Sequence, residues 1–262
     1  MFRIGASTAN LYPLETEQAL DILLALGFRT LEVFLNTESE LAPDFIAGLR
    51  RRIERADARI VSVHPFTSVQ EPYLLFSDYD RRLQDGLKLY GRLFDATREL
   101  GAQYLVMHGD KPGAKSHLSM EESARRFEQI SDVGASRGVF LLQENVCRNR
   151  SAELPYLEAM RRTIGEKARF VFDSKQALRS GHTTREVLQA LGPNVCHVHI
   201  SDHTAEHDCM IPGRGCEDFG YIFQFLASNG FDGSVILELY RKNYCDPKEL
   251  LQGKEFLESI IS

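Results

Sequence analysis

Short apolar runs rich in Val, Ile, Leu and Phe alternate eight times with longer segments of helical periodicity, and this beat constrains the fold more than any other feature of the chain. Such runs read as parallel strands buried on both faces, each joined to the next by a crossover helix. Strands are predicted at about 2 to 8, 30 to 35, 59 to 65, 102 to 108, 139 to 145, 168 to 173, 195 to 201 and 233 to 239. Helical stretches between them include ETEQALDILLALG, YDRRLQDGLKLYGRLFDATRELG and DFGYIFQFLASNG, each closing on a glycine suited to a left-handed C-cap. Ser119 with Glu122, and Thr183 with Glu186, have capping-box spacing. Eight such units in 262 residues, with no linker rich in Pro, Gly or Ser, favour one α/β domain over residues 1–262, a closed (βα)8 barrel, over an open doubly wound sheet. No G-x-G-x-x-G follows the first strand, so nothing points to a dinucleotide fold.

A buried parallel strand should be nearly continuous in apolar residues, so a titratable group on it needs a reason. Seven strands carry one at the C-terminal end: Glu32 in TLEVFL, His64 in IVSVHPF, His108 in YLVMHGD, Glu144 in FLLQENV, Asp173 in RFVFDSK, His199 in CHVHISD and Glu238 in VILELY. Strand side chains alternate faces. Glu144 therefore shares a face with Leu142 and Phe140, Glu238 with Ile236 and Ser234, and Asp173 with Val171, which points all three into the barrel. His197 and His199 share the inward face of the seventh strand, while Cys196, Val198 and Ile200 take the other. Active sites of such barrels are built at the C-terminal mouth, where Glu144, Asp173, His199 and Glu238 would converge from strands five to eight. Three carboxylates and an imidazole around one point repel one another unless a cation sits among them, so a divalent metal is the economical explanation. A lone strand-end His or Glu is more often a hydrogen-bonded core residue, but four at equivalent positions on consecutive strands are not independent accidents. His64 and His108 stand open between a second metal and substrate hydrogen bonding, and Glu32 between substrate contact and a structural ion pair. His117 and His182, in a loop and beside a helix start, are read as structural.

Thirty-one Lys and Arg against 37 Asp and Glu leave a formal charge of −6, which argues against a broad grip on a nucleic-acid backbone. The densest basic run, Leu49 to Arg55, falls on a predicted helix and is read as a solvated face. No basic segment followed by an apolar one opens the chain, and no apolar run reaches the roughly 18 residues of a membrane span. Five cysteines without a C-x-x-C pair fit reduced thiols, so a soluble, cytoplasmic protein is expected.

QENV at 143 to 146, VFDSKQA at 171 to 177, HVHISDH at 197 to 203, PGRGCEDF at 212 to 219 and ILELY at 236 to 240 resemble the xylose isomerase-like TIM barrel superfamily. This group contains sugar isomerases, ketose epimerases and the endonuclease IV type of DNA repair enzyme. The resemblance spans essentially the whole chain. In the epimerase branch it implies one divalent ion, often manganese, with zinc, cobalt and magnesium as alternatives, held by residues matching Glu144, Asp173, His199 and Glu238. Glu144 and Glu238 also match that branch's acid and base pair. The endonuclease branch adds histidines matching His64 and His108, which leaves a second ion near them open. Two departures bear on nuclease chemistry: the family's Asp-x-x-His reads Asp173-Ser174-Lys175-Gln176, and its Asp-x-His aligns with His207-Asp208-Cys209. Gln176 can still hydrogen-bond a substrate oxygen, and His207 with Cys209 stay undecided as zinc ligands.

The resemblance implies isomerisation or epimerisation of a sugar, sugar phosphate or polyol-derived substrate through an enediolate, with Glu144 and Glu238 exchanging the proton. His197 and His203 are expected to line or support the site, and Arg214 and Lys175 are the candidates for a substrate phosphate or carboxylate. Alternatives are an endonuclease IV-like metal-dependent nuclease and a non-catalytic sugar-binding barrel. Neither a nucleic-acid nor a membrane partner is expected. The sugar, the carbon that reacts and the oligomeric state are not legible in the sequence.

Overall fold

The computed structural model describes residues 2–111, 113 and 117–261. Eight strands, β1 (Arg3–Ser7), β2 (Thr30–Phe34), β3 (Arg59–His64), β4 (Tyr104–Met107), β5 (Phe140–Glu144), β6 (Phe170–Asp173), β7 (Val195–Ile200) and β8 (Ser234–Leu237), form a closed barrel in sequence order. Every neighbouring pair is parallel, and β8 closes on β1 with Arg3 opposite Ser234. The helices α1 (Thr16–Ala25), α2 (Pro43–Arg55), α3 (Glu71–Leu74), α4 (Asp80–Glu99), α5 (Met120–Ala135), α6 (Leu154–Ile164), α7 (Ser174–Arg179), α8 (Thr184–Leu191), α9 (Phe219–Ser228) and α10 (Glu249–Ile261) make up the crossovers and the C-terminal segment. The eight expected strands are all present, several of them shorter at their ends. His108 and Glu238 each fall one residue beyond the ladder.

Local chemistry fixes where the elements begin. Both capping boxes form, Ser119 with Glu122 at α5 and Thr183 with Glu186 at α8, each satisfying free N–H groups of a first turn. Asp173 caps α7 by accepting from the Gln176 N–H at 3.0 Å. On α2 the residues Ile46, Leu49 and Ile53 are buried, while Arg50 pairs with Glu54 and Glu99 and Arg52 with Asp21, so the basic run is a solvated face.

Most of the core lies between the barrel and its helices, with Phe28, Phe94, Phe127, Tyr156 and Leu188 fully enclosed. A second, small cluster of Val106, Leu142 and Val171 fills the inside of the barrel. This is the face that alternation assigns to Leu142 and Val171. Cys196 departs from its expected outward position. The β6–β7 register shifts there, with Phe170 opposite Val195 but Val171 opposite His197, so Cys196 is the extra residue of a bulge and packs partly against the inner cluster. With apolar side chains filling the barrel interior, the titratable residues gather at its C-terminal end.

Candidate metal centre and active site

Glu144 ends β5, Asp173 ends β6, His199 sits one residue before the end of β7, and Glu238 follows β8. The closed barrel brings them together: one ligand atom from each of the four lies within 4.8 Å of all the others. His199 Nδ1 is 3.3 Å from Glu238 Oε2 and 3.6 Å from Glu144 Oε1. Glu144 Oε2, Asp173 Oδ2 and His199 Nδ1 are buried without a hydrogen-bond partner. None of the three makes a hydrogen bond, although Glu144 Oε2 lies within ion-pair distance of His64 and His108, and Asp173 Oδ2 of Lys175. Three such atoms in one group of facing carboxylate and imidazole atoms suit a divalent cation, and the donor set of oxygens with one nitrogen is chemically compatible with it.

The orphaned atoms are aimed by what their other halves do. Asp173 spends Oδ1 on the α7 cap, which leaves Oδ2 facing the group. His199 Nε2 lies 2.9 Å from Glu32 Oε2, so an Nε2–H donated to that carboxylate leaves the Nδ1 lone pair for a metal. Glu32 is fully buried and also accepts from Ser62 Oγ at 2.8 Å and meets His197 Nε2 at 3.2 Å. It thus sits beneath the site as the partner of two histidines. Burial opposes its charge, but His199 and His197 together hold the carboxyl well below the usual range. Burial likewise opposes charge on His199, and Glu32 and Glu238 overcome it, holding the imidazole well above its ordinary value. Burial dominates at His197, which is pushed down despite Glu32.

His64 and His108 gather on the other side of Glu144. Their Nε2 atoms lie 3.4 and 3.1 Å from Glu144 Oε2 and 3.1 Å from each other, forming a second group with metal-ligand geometry. The turn that carries His108 depends on Gly109. Its φ is +80°, and a Cβ there would stand 2.4 Å from Gln143 Oε1. Gln143 in turn donates to the His108 carbonyl at 2.8 Å.

Lys175 is enclosed among the carboxylates, 3.0 Å from Glu238 Oε2 and 3.3 Å from Asp173 Oδ2, with its side chain only 4% exposed. Its ammonium is spent on two of the three converging carboxylates. Burial works against that charge, and Asp173 followed by Glu238 restores it. Gln176 takes the Cys147 N–H on its oxygen at 3.1 Å, which turns its amide nitrogen the other way. Arg214 is not brought to this group: it pairs with Glu249 and donates to Gln252 Oε1 at 2.8 Å, tying the Pro-Gly loop to α10. His203 faces Glu217 at 3.6 Å, and His207 is exposed in the loop beyond. The Cys209 thiol is buried and pushed up to about 11 by burial, and among the described residues neither it nor His207 joins a metal-ligand group. His117 pairs with Asp78 and His182 meets the Ala152 carbonyl.

Sequence reasoning missed two supporting residues. Ser62 shares strand parity with His64, so the same alternation that selects His64 would have found it. Asp202, three residues after His199, accepts from the backbone N–H of His203, Gly213, Gly215 and Glu217 and so holds the whole Pro-Gly loop. An acid facing a glycine-rich loop was its only signal.

A (βα)8 barrel whose mouth gathers three carboxylates and a histidine in a group that could hold a metal ion narrows the class of protein. The description "Xylose isomerase-like TIM barrel" matches residues 20–260, and the chain belongs to that family. It is 27% identical over 258 residues to an uncharacterized protein of Mycobacterium tuberculosis, covering 90% of this chain and 88% of that one. Similarity to inosose isomerase of Bacillus velezensis is 24% over 187 residues, 65% of this chain and 66% of that one. Among solved structures, a D-tagatose 3-epimerase-like protein superposes with a TM-score of 0.80 at 20% identity, over 99% of this chain and 97% of that one. Among the described residues no helix is long and apolar enough to cross a membrane.

The protonation of the group sets how a metal enters. Asp173 is pushed up to about 7, first by burial and then by Glu144 and Glu238 against the pull of Lys175. In the metal-free protein His199 holds its proton at neutral pH and Asp173 holds one below about 7. A metal must displace both. The apparent affinity is therefore expected to rise with pH, by about tenfold per unit above 7, where only His199 is protonated, and more steeply below 7, where Asp173 is protonated as well. Metal titration between pH 5.5 and 8, with proton release read in buffers of different ionisation heat, checks this; a flat profile would contradict it.

Proposed function

We propose that the protein is a divalent-metal-dependent isomerase or epimerase of a sugar or sugar derivative, working by proton transfer at a carbon next to a carbonyl. The observation that carries the reading is the convergence of Glu144 Oε2, Asp173 Oδ2 and His199 Nδ1, buried atoms that make no hydrogen bond, beside Glu238. Its family, and the names of inosose isomerase and a D-tagatose 3-epimerase-like protein among the similar chains, support a sugar substrate. Glu144, Asp173, His199 and Glu238 are the ligands in this reading, and manganese is the favoured ion, with zinc, cobalt and magnesium compatible with the same donors. A second ion would be held by His64, His108 and Glu144.

A bound divalent ion supplies positive charge for the oxyanion that builds as the C–H proton leaves. The protein's own side chains do the rest. Glu144 and Glu238 arrive from β5 and from the end of β8, with β6 and β7 between them, and so flank a substrate from two sides. Both carboxyls are held below their usual range: burial opposes this, but His108 with His199 and His64 prevails at Glu144, and Lys175 with His199 at Glu238. Each is thus ionised at neutral pH, so one can accept the carbon-bound proton while the other, after taking a proton from solvent, returns it to the opposite face; the first then releases its proton to solvent and both are carboxylates again. His108, 22% exposed at its side chain, reaches the mouth and offers an N–H to substrate oxygens.

The test is metal content by mass spectrometry, followed by ketoses incubated with the manganese-loaded protein in D₂O. Deuterium should enter at the carbon beside the carbonyl, and EDTA should stop it. A fully loaded protein that exchanges no proton across a broad ketose panel would overturn the reading.

A further inference from the structure

We infer that the substrate carries an anionic terminal group, a phosphate or a carboxylate, seated between Lys111 and Arg148 at the outer end of the mouth; this rests on the sugar reading above and narrows its substrate class. A cavity of about 490 Å³ opens over the site, with His108 and Gln176 on its inner side and Lys111, Arg148, Arg179 and Tyr240 among its outer walls. Among the described residues, no Asp or Glu lines it. In a chain of net charge −6, a cavity at the rim of the mouth with three cations and no carboxylate among its described lining residues is a local departure from the overall charge.

The three cations differ in what they have left to give. Arg179 is spent on Asp208 and the Tyr240 hydroxyl. Lys111 and Arg148 are exposed, and neither side chain has an ion pair or hydrogen bond among the described residues. They stand in matching places, four residues beyond the last residue of the adjacent strands β4 and β5, whose Met107 and Gln143 are register partners. Two neighbouring loops therefore offer one cation each to the same space. Gln176 adds a donor: it is only 8% exposed, its oxygen is taken by the Cys147 N–H, and its amide nitrogen has no partner among the described residues.

Position also separates the two ends of a ligand. An anion placed at the inner end would face Glu144, Asp173 and Glu238, whereas the β4 and β5 loops hold it away from them. The larger outer cavity of about 840 Å³ is lined by Glu206 and Asp208 as well as by Lys242, and its mixed charge selects for no sign. The carbonyl end of the ligand thus belongs beside His108 and the carboxylate group, and its anionic end beside Lys111 and Arg148.

The test compares the manganese-loaded wild type with the Lys111→Ala/Arg148→Ala double variant, with Lys242→Ala as a control. D-fructose, D-fructose 6-phosphate and the keto-uronate D-fructuronate are assayed by deuterium exchange, and sulfate by thermal shift at low ionic strength. The expected result is that one of the two anionic ketoses exceeds fructose in kcat/KM, and that the double variant cuts this advantage by roughly 10- to 100-fold, mainly through KM. Lys242→Ala should leave the ratio alone. Which anionic ketose prevails tells a phosphate seat from a carboxylate seat. Fructose preferred by the wild type, or an anionic advantage intact in the double variant, overturns the inference and leaves the sugar reading standing. If no ketose exchanges, a sulfate-induced stabilisation lost in the double variant upholds the anion seat while the sugar reading falls; no stabilisation at all removes both.

Discussion

Glu144→Gln and Glu238→Gln should each yield a folded, monodisperse barrel whose proton exchange on a ketose substrate is slowed by about 10³-fold or more, in the upper part of the range that a positioned acid or base contributes. Glutamine keeps the size and one acceptor oxygen of each side chain but cannot take a proton. Each variant also has a second readout, through the neighbours it leaves without a carboxylate. Glu144 touches His64, His108 and His199, so its neutral replacement leaves three imidazoles without their common carboxylate. Glu238 shares its charge with Lys175 and His199, and its loss leaves Lys175 with Asp173 alone. Metal retention should therefore weaken in both, and activity assays need saturating manganese to isolate proton transfer from ligand loss. Wild-type exchange rates in either variant under those conditions would remove the two-glutamate mechanism.

The second large effect is expected at a residue that cannot touch a substrate. Glu32 is fully enclosed with His197, His199 and Ser62, and removing one member of a buried, paired charge set typically costs about 3–5 kcal/mol. Glu32→Leu should show that loss in chemical denaturation of the metal-free protein. Glu32→Gln, which keeps the shape and an acceptor, should cost less stability yet bind metal roughly 10- to 100-fold more weakly, because the Nε2–H of His199 loses the carboxylate that orients it. The acid limb supplies an independent check. The Glu32 carboxyl is depressed in the folded state, so its contribution is present above the unfolded value near ~4.3 and is lost as pH falls through the lower folded value. Glu32→Gln should flatten that limb. Unchanged metal affinity and an unchanged acid transition would mean that the trio is inert packing.

Much of this site was legible because a parallel barrel writes its function at one address. Glu144, Asp173 and His199 stand at the C-terminal ends of strands whose remaining residues are apolar, and alternation alone turned them inward. The same rule misassigned Cys196, because a bulge inserts one residue into β7 and strict parity fails on either side of it. It also could not weigh Arg214 against Arg148. Both are loop arginines in the sequence, and only tertiary contacts distinguish the one spent on Glu249 from the one facing the mouth without a partner. Lys175 illustrates the converse: beside Asp173 it reads as an available cation, but the turn into α7 folds its ammonium back among the carboxylates.

The ligand atoms sit on or next to strands, whereas Lys111 and Arg148 sit on the loops four residues farther out. Over evolutionary time these two sets can drift separately. On the proposed reading, changes at Lys111 and Arg148 would give a descendant enzyme a new clientele of substrates without disturbing the metal-ligand group, whereas a change at Glu32 or His199 would forfeit the chemistry for every substrate at once.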